Sequence, residues 1–192
     1  MSLAKREKCL ADLKRCFDFL KEDKKFTSLL AGPEVARGDS FQFAISNAAM
    51  SLRVPLILQT FFTFDIVVAV GIGKEGIIRK PLGESDGEAF YISGRTLDKM
   101  KHAGMSIIVK SRSQSFNDEM ETNCMMLEAI TSRWTTTQRD VMFYKLLNYT
   151  EREIAEVLQI SQPAVNTHSK ASNWKAIERL LKRFERIAST LK

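Results

Sequence analysis

Gln162, Asn166, Thr167 and Lys170 recur at intervals that place them on one side of a short helix. Carboxamides offer a paired donor and acceptor to a base edge, a hydroxyl offers both in one atom, and an ammonium group suits a phosphate. Ser161, just ahead of them, caps a helix whose free N–H groups suit one further phosphate. Lys175 and Arg139 are the remaining candidates for phosphate contact. Such side chains must be held outward by something rigid. Residues 150–158 supply the first support, with Thr150 and Glu153 spaced for a capping box and Ile154, Ala155 and Leu158 forming an apolar face. A short break at Gln159-Ile160 follows. Pro163 then sits in the first turn of the next helix, where its missing N–H costs little, and Val165 is the inward position. This is the grammar of a helix-turn-helix, and the expected partner is double-stranded DNA, read in the major groove.

Charge distribution points the same way. The chain of 192 residues carries a formal net charge of +6. Seven basic residues (Lys170, Lys175, Arg179, Lys182, Arg183, Arg186, Lys192) face only Glu178 and Glu185 after position 169, whereas residues 116–163 are net acidic. Positive charge therefore gathers beside the reading helix, as a phosphate-facing surface requires.

Other chemistries fit less well. Gly71-Ile72-Gly73-Lys74-Glu75-Gly76 satisfies the spacing of a dinucleotide fingerprint, but Pro81 follows too soon for a helix to open on those glycines. Cys9, Cys16 and Cys124 have no metal-ligand spacing and read as small hydrophobes in a reducing cytoplasm. His168 reads as packing and Trp174 as core. No metalloprotease, hydrolase-elbow or phosphate-loop motif occurs, so the chain is expected not to be an enzyme, and no cofactor is called for by the residues alone. The apolar runs are too short to span a bilayer, and no signal peptide is visible. Met1-Ser2-Leu3, followed at once by a charged helical pattern, reads as a leader on a trimmed protein.

Two domains are expected. Residues 1–130 form an α/β domain: a helix over 4–23 with Leu10, Leu13, Phe17 and Leu20 on one stripe, and a hairpin in which Val35 and alternating Phe41, Phe43 and Ile45 flank Arg37-Gly38-Asp39. A helix over 47–62 kinked or delayed by Pro55 follows, then a buried central strand over 65–73, a helix over 85–100, a strand over 105–110 and a helix over 117–133. Residues 131–192 form an all-α domain that opens on a cap from Thr135-Thr136-Thr137 with Gln138. It ends in a helix striped by Trp174, Ile177, Leu180, Leu181, Phe184, Ile187 and Leu191, either the lid of its own core or a homodimer seam.

The C-terminal pattern resembles the four-helix DNA-binding unit of LuxR-type regulators and sigma-factor region four, through Thr137, Arg139, Glu153-Ile154-Ala155, Leu158, Ile160-Ser161, Val165 and His168. That resemblance implies transcriptional regulation and a contact with RNA polymerase. The N-terminal residues resemble SatD-family proteins, through 36–42 (ARGDSFQ), 70–73 (VGIG) and 84–90 (ESDGEAF). This second resemblance implies a ferredoxin-like palm, similar to GGDEF domains and nucleotide cyclases, in which Asp39 is the candidate ligand for Mg²⁺ and a nucleotide. The family's first strand and its acid are missing here and Ser40 replaces its Glu, so Asp39 stands alone; by residue type it is a hairpin-turn residue.

Overall fold

The computed structural model describes residues 3–26, 28–37, 40–62, 64–74, 76–100 and 104–191. Helix α1 (Leu3–Glu22) turns Leu13, Cys16, Phe17 and Leu20 into the core at helical spacing. Strands β1 (Leu29–Arg37) and β2 (Ser40–Ile45) form the expected antiparallel hairpin, closed by the Arg37↔Ser40 pair. Its inner face brings Phe43 onto Phe17, ring centroids 5.0 Å apart. Val35, opposite Phe41, is exposed. The turn residues Gly38 and Asp39 lie outside the described residues, and with them the candidate Mg²⁺ or nucleotide ligand.

Pro55 delays a helix rather than kinking it. A 3-10 turn (Ala48–Met50) precedes α2 (Arg53–Phe61), in which Pro55 is the third residue, where no intrahelical N–H bond is yet needed. Almost every side chain of α2 is buried, so it runs through the middle of the molecule.

Strand β3 (Val68–Gly71), helix α3 (Glu88–Met100) and strand β4 (Ile107–Lys110) make a β-α-β unit with the two strands parallel. Gly71 is required by close approach: a Cβ there would sit 2.1 Å from the Ala89 carbonyl of α3. The expected central strand over 65–73 is shorter and has a neighbour on one side only, since the described strands form two separate two-stranded sheets. Ile66 is buried outside the ladder, and Ile72 lies past the end of β3 with its N–H still donating to the Lys110 carbonyl at 2.8 Å, so only part of the apolar run is strand.

What lies beyond β4 is helix α4 (Gln114–Thr131), whose side chains occupy the strand's free edge. Asn117 accepts from the Ser111 N–H at 2.7 Å and donates to its carbonyl at 2.9 Å. Glu128 accepts from the Ser106 N–H at 3.1 Å. Between them the buried Cys124 thiol lies by the Val109 backbone. Two side chains thus satisfy backbone groups at either end of β4 that a longer neighbouring strand would otherwise pair. Burial pushes the thiols of Cys16 and Cys124 up, to about 12 and about 11, and no disulfide forms, in keeping with small hydrophobes.

Four helices complete the fold: α5 (Thr136–Leu146), α6 (Glu151–Leu158), α7 (Gln162–Ala171) and α8 (Trp174–Ala188). Each turn between them is made by a residue in the left-handed region, Asn148, Gln159 and Asn173. The architecture is mixed α/β with small sheets and a C-terminal helical part. Its main core is continuous across position 130. Phe17, Leu56 and Phe116 belong to the same buried cluster as Trp134, Leu146, Leu181 and Phe184. The apolar stripe of α8 is used here, with Ile177, Leu181 and Phe184 buried against the chain's own core.

Candidate nucleic-acid interface

The α6–α7 pair is built by local rules. Thr150 accepts from the Glu153 N–H at 3.3 Å while the Glu153 carboxylate accepts from the Thr150 N–H at 2.7 Å, a complete capping box. Thr135 and Gln138 repeat the device on α5. Helix α6 stops where Gln159 turns left-handed, and Ser161 starts α7 by accepting from the Ala164 N–H at 3.3 Å. Val141, Ile154 and Val165 then form a small separate core between α5, α6 and α7. The hydroxyl of Ser169 is also buried in α7, with no described hydrogen-bond partner.

Seating Val165 inward leaves Ser161, Gln162, Pro163, Thr167, Lys170 and Ala171 exposed along α7. Lys170 makes no ion pair among the described residues, and Thr167 spends its hydroxyl proton on the Pro163 carbonyl at 3.0 Å. Lys175 is likewise exposed, at the start of α8. Two of the expected contacts are occupied elsewhere. Asn166 is half-buried and donates to both Glu151 oxygens, at 3.3 and 3.5 Å. Arg139 is half-buried and donates to the Phe62 carbonyl at the end of α2, at 3.4 Å. His168 is half-buried, and its carbonyl accepts from the Ser172 N–H and hydroxyl, which fits packing. Trp174 packs partly buried against the core.

Residues that the sequence did not single out hold this unit in place. Trp134 donates its indole N–H to the Ser172 carbonyl at 3.2 Å, pinning the α7–α8 turn to the start of α5. Arg53 reaches three acceptors: Glu185 at 2.7 Å, the Leu146 carbonyl at 3.2 Å and Asn148 at 3.1 Å. Asp23 accepts from the Tyr149 hydroxyl at 2.7 Å. Lys25 pairs with Glu153 at 2.7 Å and lies over the Tyr149 ring, 4.1 Å from its centroid. The α5–α6 turn is therefore gripped from two sides by the N-terminal half. Burial and the Asp23 bond push the Tyr149 phenol up to about 12.

The hydrogen bond from Lys25, with those from Thr150, holds the Glu153 carboxyl at about 2, below its ordinary 4.5. Since the folded value is the lower one, the stabilisation is complete above pH 4.5 and is lost as the pH falls toward 2. Urea midpoints should show the parent more stable than Glu153→Gln at pH 6, with the gap closing between pH 4.5 and 2. A gap independent of pH would remove Glu153 from the acid response.

A second concavity, of about 270 Å³, opens where β3 and β4 end. Glu88 at the start of α3 dominates it, accepting from the Lys74 N–H at 3.0 Å and pairing with Arg112. No helix opens on the glycines nearby: Ile77 instead bridges back to Asp86, and a Cβ on Gly76 would sit 2.0 Å from the Asp86 carbonyl. The dinucleotide fingerprint is thus a loop. Among the described residues no group of three or more His, Cys, Asp or Glu side chains is placed to hold a metal ion. No described helix is long and apolar enough to cross a membrane. No family profile, curated protein or solved structure matches the chain.

Proposed function

We propose that the chain is a sequence-specific DNA-binding protein, a cytoplasmic transcriptional regulator that inserts α7 into the major groove. The observation that carries this reading is the exposure of α7. Its inner residue Val165 is fully buried on the Val141–Ile154 cluster, while Gln162, Thr167 and Lys170 are exposed, with no described residue of the N-terminal half laid over them. Gln162 is the first residue of the helix, the end that meets base edges in this docking mode. Asn166 acts from behind, holding α7 to α6 through Glu151. Lys170 and Lys175 hold phosphates, and the N-terminal N–H groups of α7 hold another.

The N-terminal half is, on this proposal, a partial palm. Support comes from its β-α-β unit, in which α3 opens at Glu88 within the 84–90 motif. Its role is to support and regulate the DNA-reading helices rather than to catalyse. A regulator of this kind works as a homodimer on a two-fold operator, with RNA polymerase as its onward contact.

Selection from a random duplex pool at about 150 mM salt should enrich a motif. Gln162→Ala should then relax preference at one base pair by roughly 1–3 kcal/mol, and Lys170→Ala should weaken all sequences alike and lower the salt slope by about 1. Parent-like binding by both variants would show that α7 is not the reading helix.

A further inference from the structure

We propose that the outer face of α8 is a second phosphate track, binding the backbone of duplex DNA beyond the site read by α7. This rests on the reading of the chain as a DNA-binding protein, and it adds Arg179, Lys182 and Arg186 to the contact surface.

Lys175, Arg179, Lys182 and Arg186 follow one another at steps of four, three and four residues along α8. At 3.6 residues per turn, these positions fall within an arc of about 60°, and they span about 16 Å of helix axis. The arc lies opposite Ile177, Leu181, Phe184 and Ala188, the buried side of the same helix. All four cations are exposed, and they line a shallow trough of about 690 Å³.

Two acids share the trough, and both are engaged. Glu178 accepts from Lys182 at 2.9 Å, on the surface. Glu185 is drawn to Arg53, whose guanidinium beneath α8 offsets its charge. Lys175, Arg179 and Arg186 make no ion pair among the described residues. The face thus keeps a net positive charge on a helix that Arg53 and the core hold rigid.

The occupant follows from what the face lacks. A protein interface draws its energy from buried aromatic and aliphatic anchors. Between these cations the trough offers only Glu178, Glu185 and Ser189. A phosphate backbone needs no such anchor, because released counterions drive the association. One DNA strand presents about five phosphates over 16 Å of axis, enough for four cations in a row. Arg179 and Arg186 can each grip a phosphate through two N–H groups.

The test is the salt dependence of binding to a random-sequence duplex, for the parent, Lys170→Ala, the triple variant Arg179→Gln/Lys182→Gln/Arg186→Gln, and Glu178→Lys. Removing three phosphate contacts should flatten the slope of log K against log salt by about 2–3, and Glu178→Lys should steepen it by about 1. Thermal unfolding of each variant checks that the fold is intact, and the gain in Glu178→Lys cannot arise from misfolding. A parent-like slope in the triple variant, alongside a shallower one in Lys170→Ala, would overturn the α8 track and leave the α7 reading standing. Failure of the parent to bind any duplex at low salt would overturn both. Displacement of the duplex by polyglutamate as readily as by competitor DNA would show that carboxylates suffice, and would overturn the assignment to phosphate.

Discussion

Glu185→Ala is expected to destabilise the fold by about 3 kcal/mol, more than Arg53→Met does, although Arg53 makes three hydrogen bonds and Glu185 accepts only one of them. The asymmetry comes from burial. The Arg53 side chain is 6% exposed and that of Glu185 28%. Removing the carboxylate strands a buried guanidinium on two neutral acceptors, and an uncompensated buried charge is the costly outcome. Removing the guanidinium lets Glu185 turn to water, while Met fills a similar volume. The remaining cost is the donor lost to the Leu146 carbonyl and Asn148, about 1–2 kcal/mol. Joining the two substitutions should cost less than their sum, since the double variant leaves no charge buried. Urea unfolding with an unchanged slope is the measurement. A cost below about 1 kcal/mol for Glu185→Ala would mean that water already compensates Arg53.

Arg53 and Glu185 also show which long-range contacts leave a trace in sequence. Arg53 is the first residue of α2 and Glu185 lies in the last turn of α8, so each charge opposes its own helix dipole. Two such violations mark a pairing across 132 residues, though nothing local says with whom. Signals of short range were legible. The boxes at Thr135–Gln138 and Thr150–Glu153 and the cap at Ser161 involve residues three apart, and the structure has all of them. The hairpin was legible too, from its two strands and the turn between them, though its register, shifted at three points, was not.

Less was legible where a distant partner decided the outcome. Helical position turns Asn166 outward, and Arg139 was a candidate for phosphate; Glu151 on α6 and the Phe62 carbonyl on α2 engage them. The strand over 65–73 failed for a related reason. Apolar sequence reports burial, and Ile66 is buried without a partner strand beside it. Nor does composition announce that α4 would cap the edge of β4, because Asn117, Cys124 and Glu128 look like surface and filler residues until the strand lies beside them.

The largest effect is expected from division of the chain at position 130: residues 131–192 alone should show no cooperative unfolding. The helix-turn-helix keeps for itself only the cluster of Val141, Ile154 and Val165. Its larger apolar residues complete a core whose other half lies upstream. Phe143 packs on Phe19 at 5.3 Å and on Phe61 at 5.7 Å, and Phe184 packs on Phe116 at 6.0 Å. Leu146, Leu147 and Leu181 join the same cluster. Each such side chain returned to water costs roughly 1.5–3 kcal/mol, and a handful is comparable to the roughly 5–15 kcal/mol typical of a whole domain. The fragment would also lose Arg53, Asp23 and Lys25 from the α5–α6 turn. Circular dichroism and near-ultraviolet signals should therefore fall without a sigmoidal transition. A sharp transition within about 10 °C of the parent would instead establish an autonomous domain. The distinction bears on regulation. If the halves melt as one unit, any ligand that binds the folded N-terminal half and not the unfolded chain also stabilises α7, and by the same free energy.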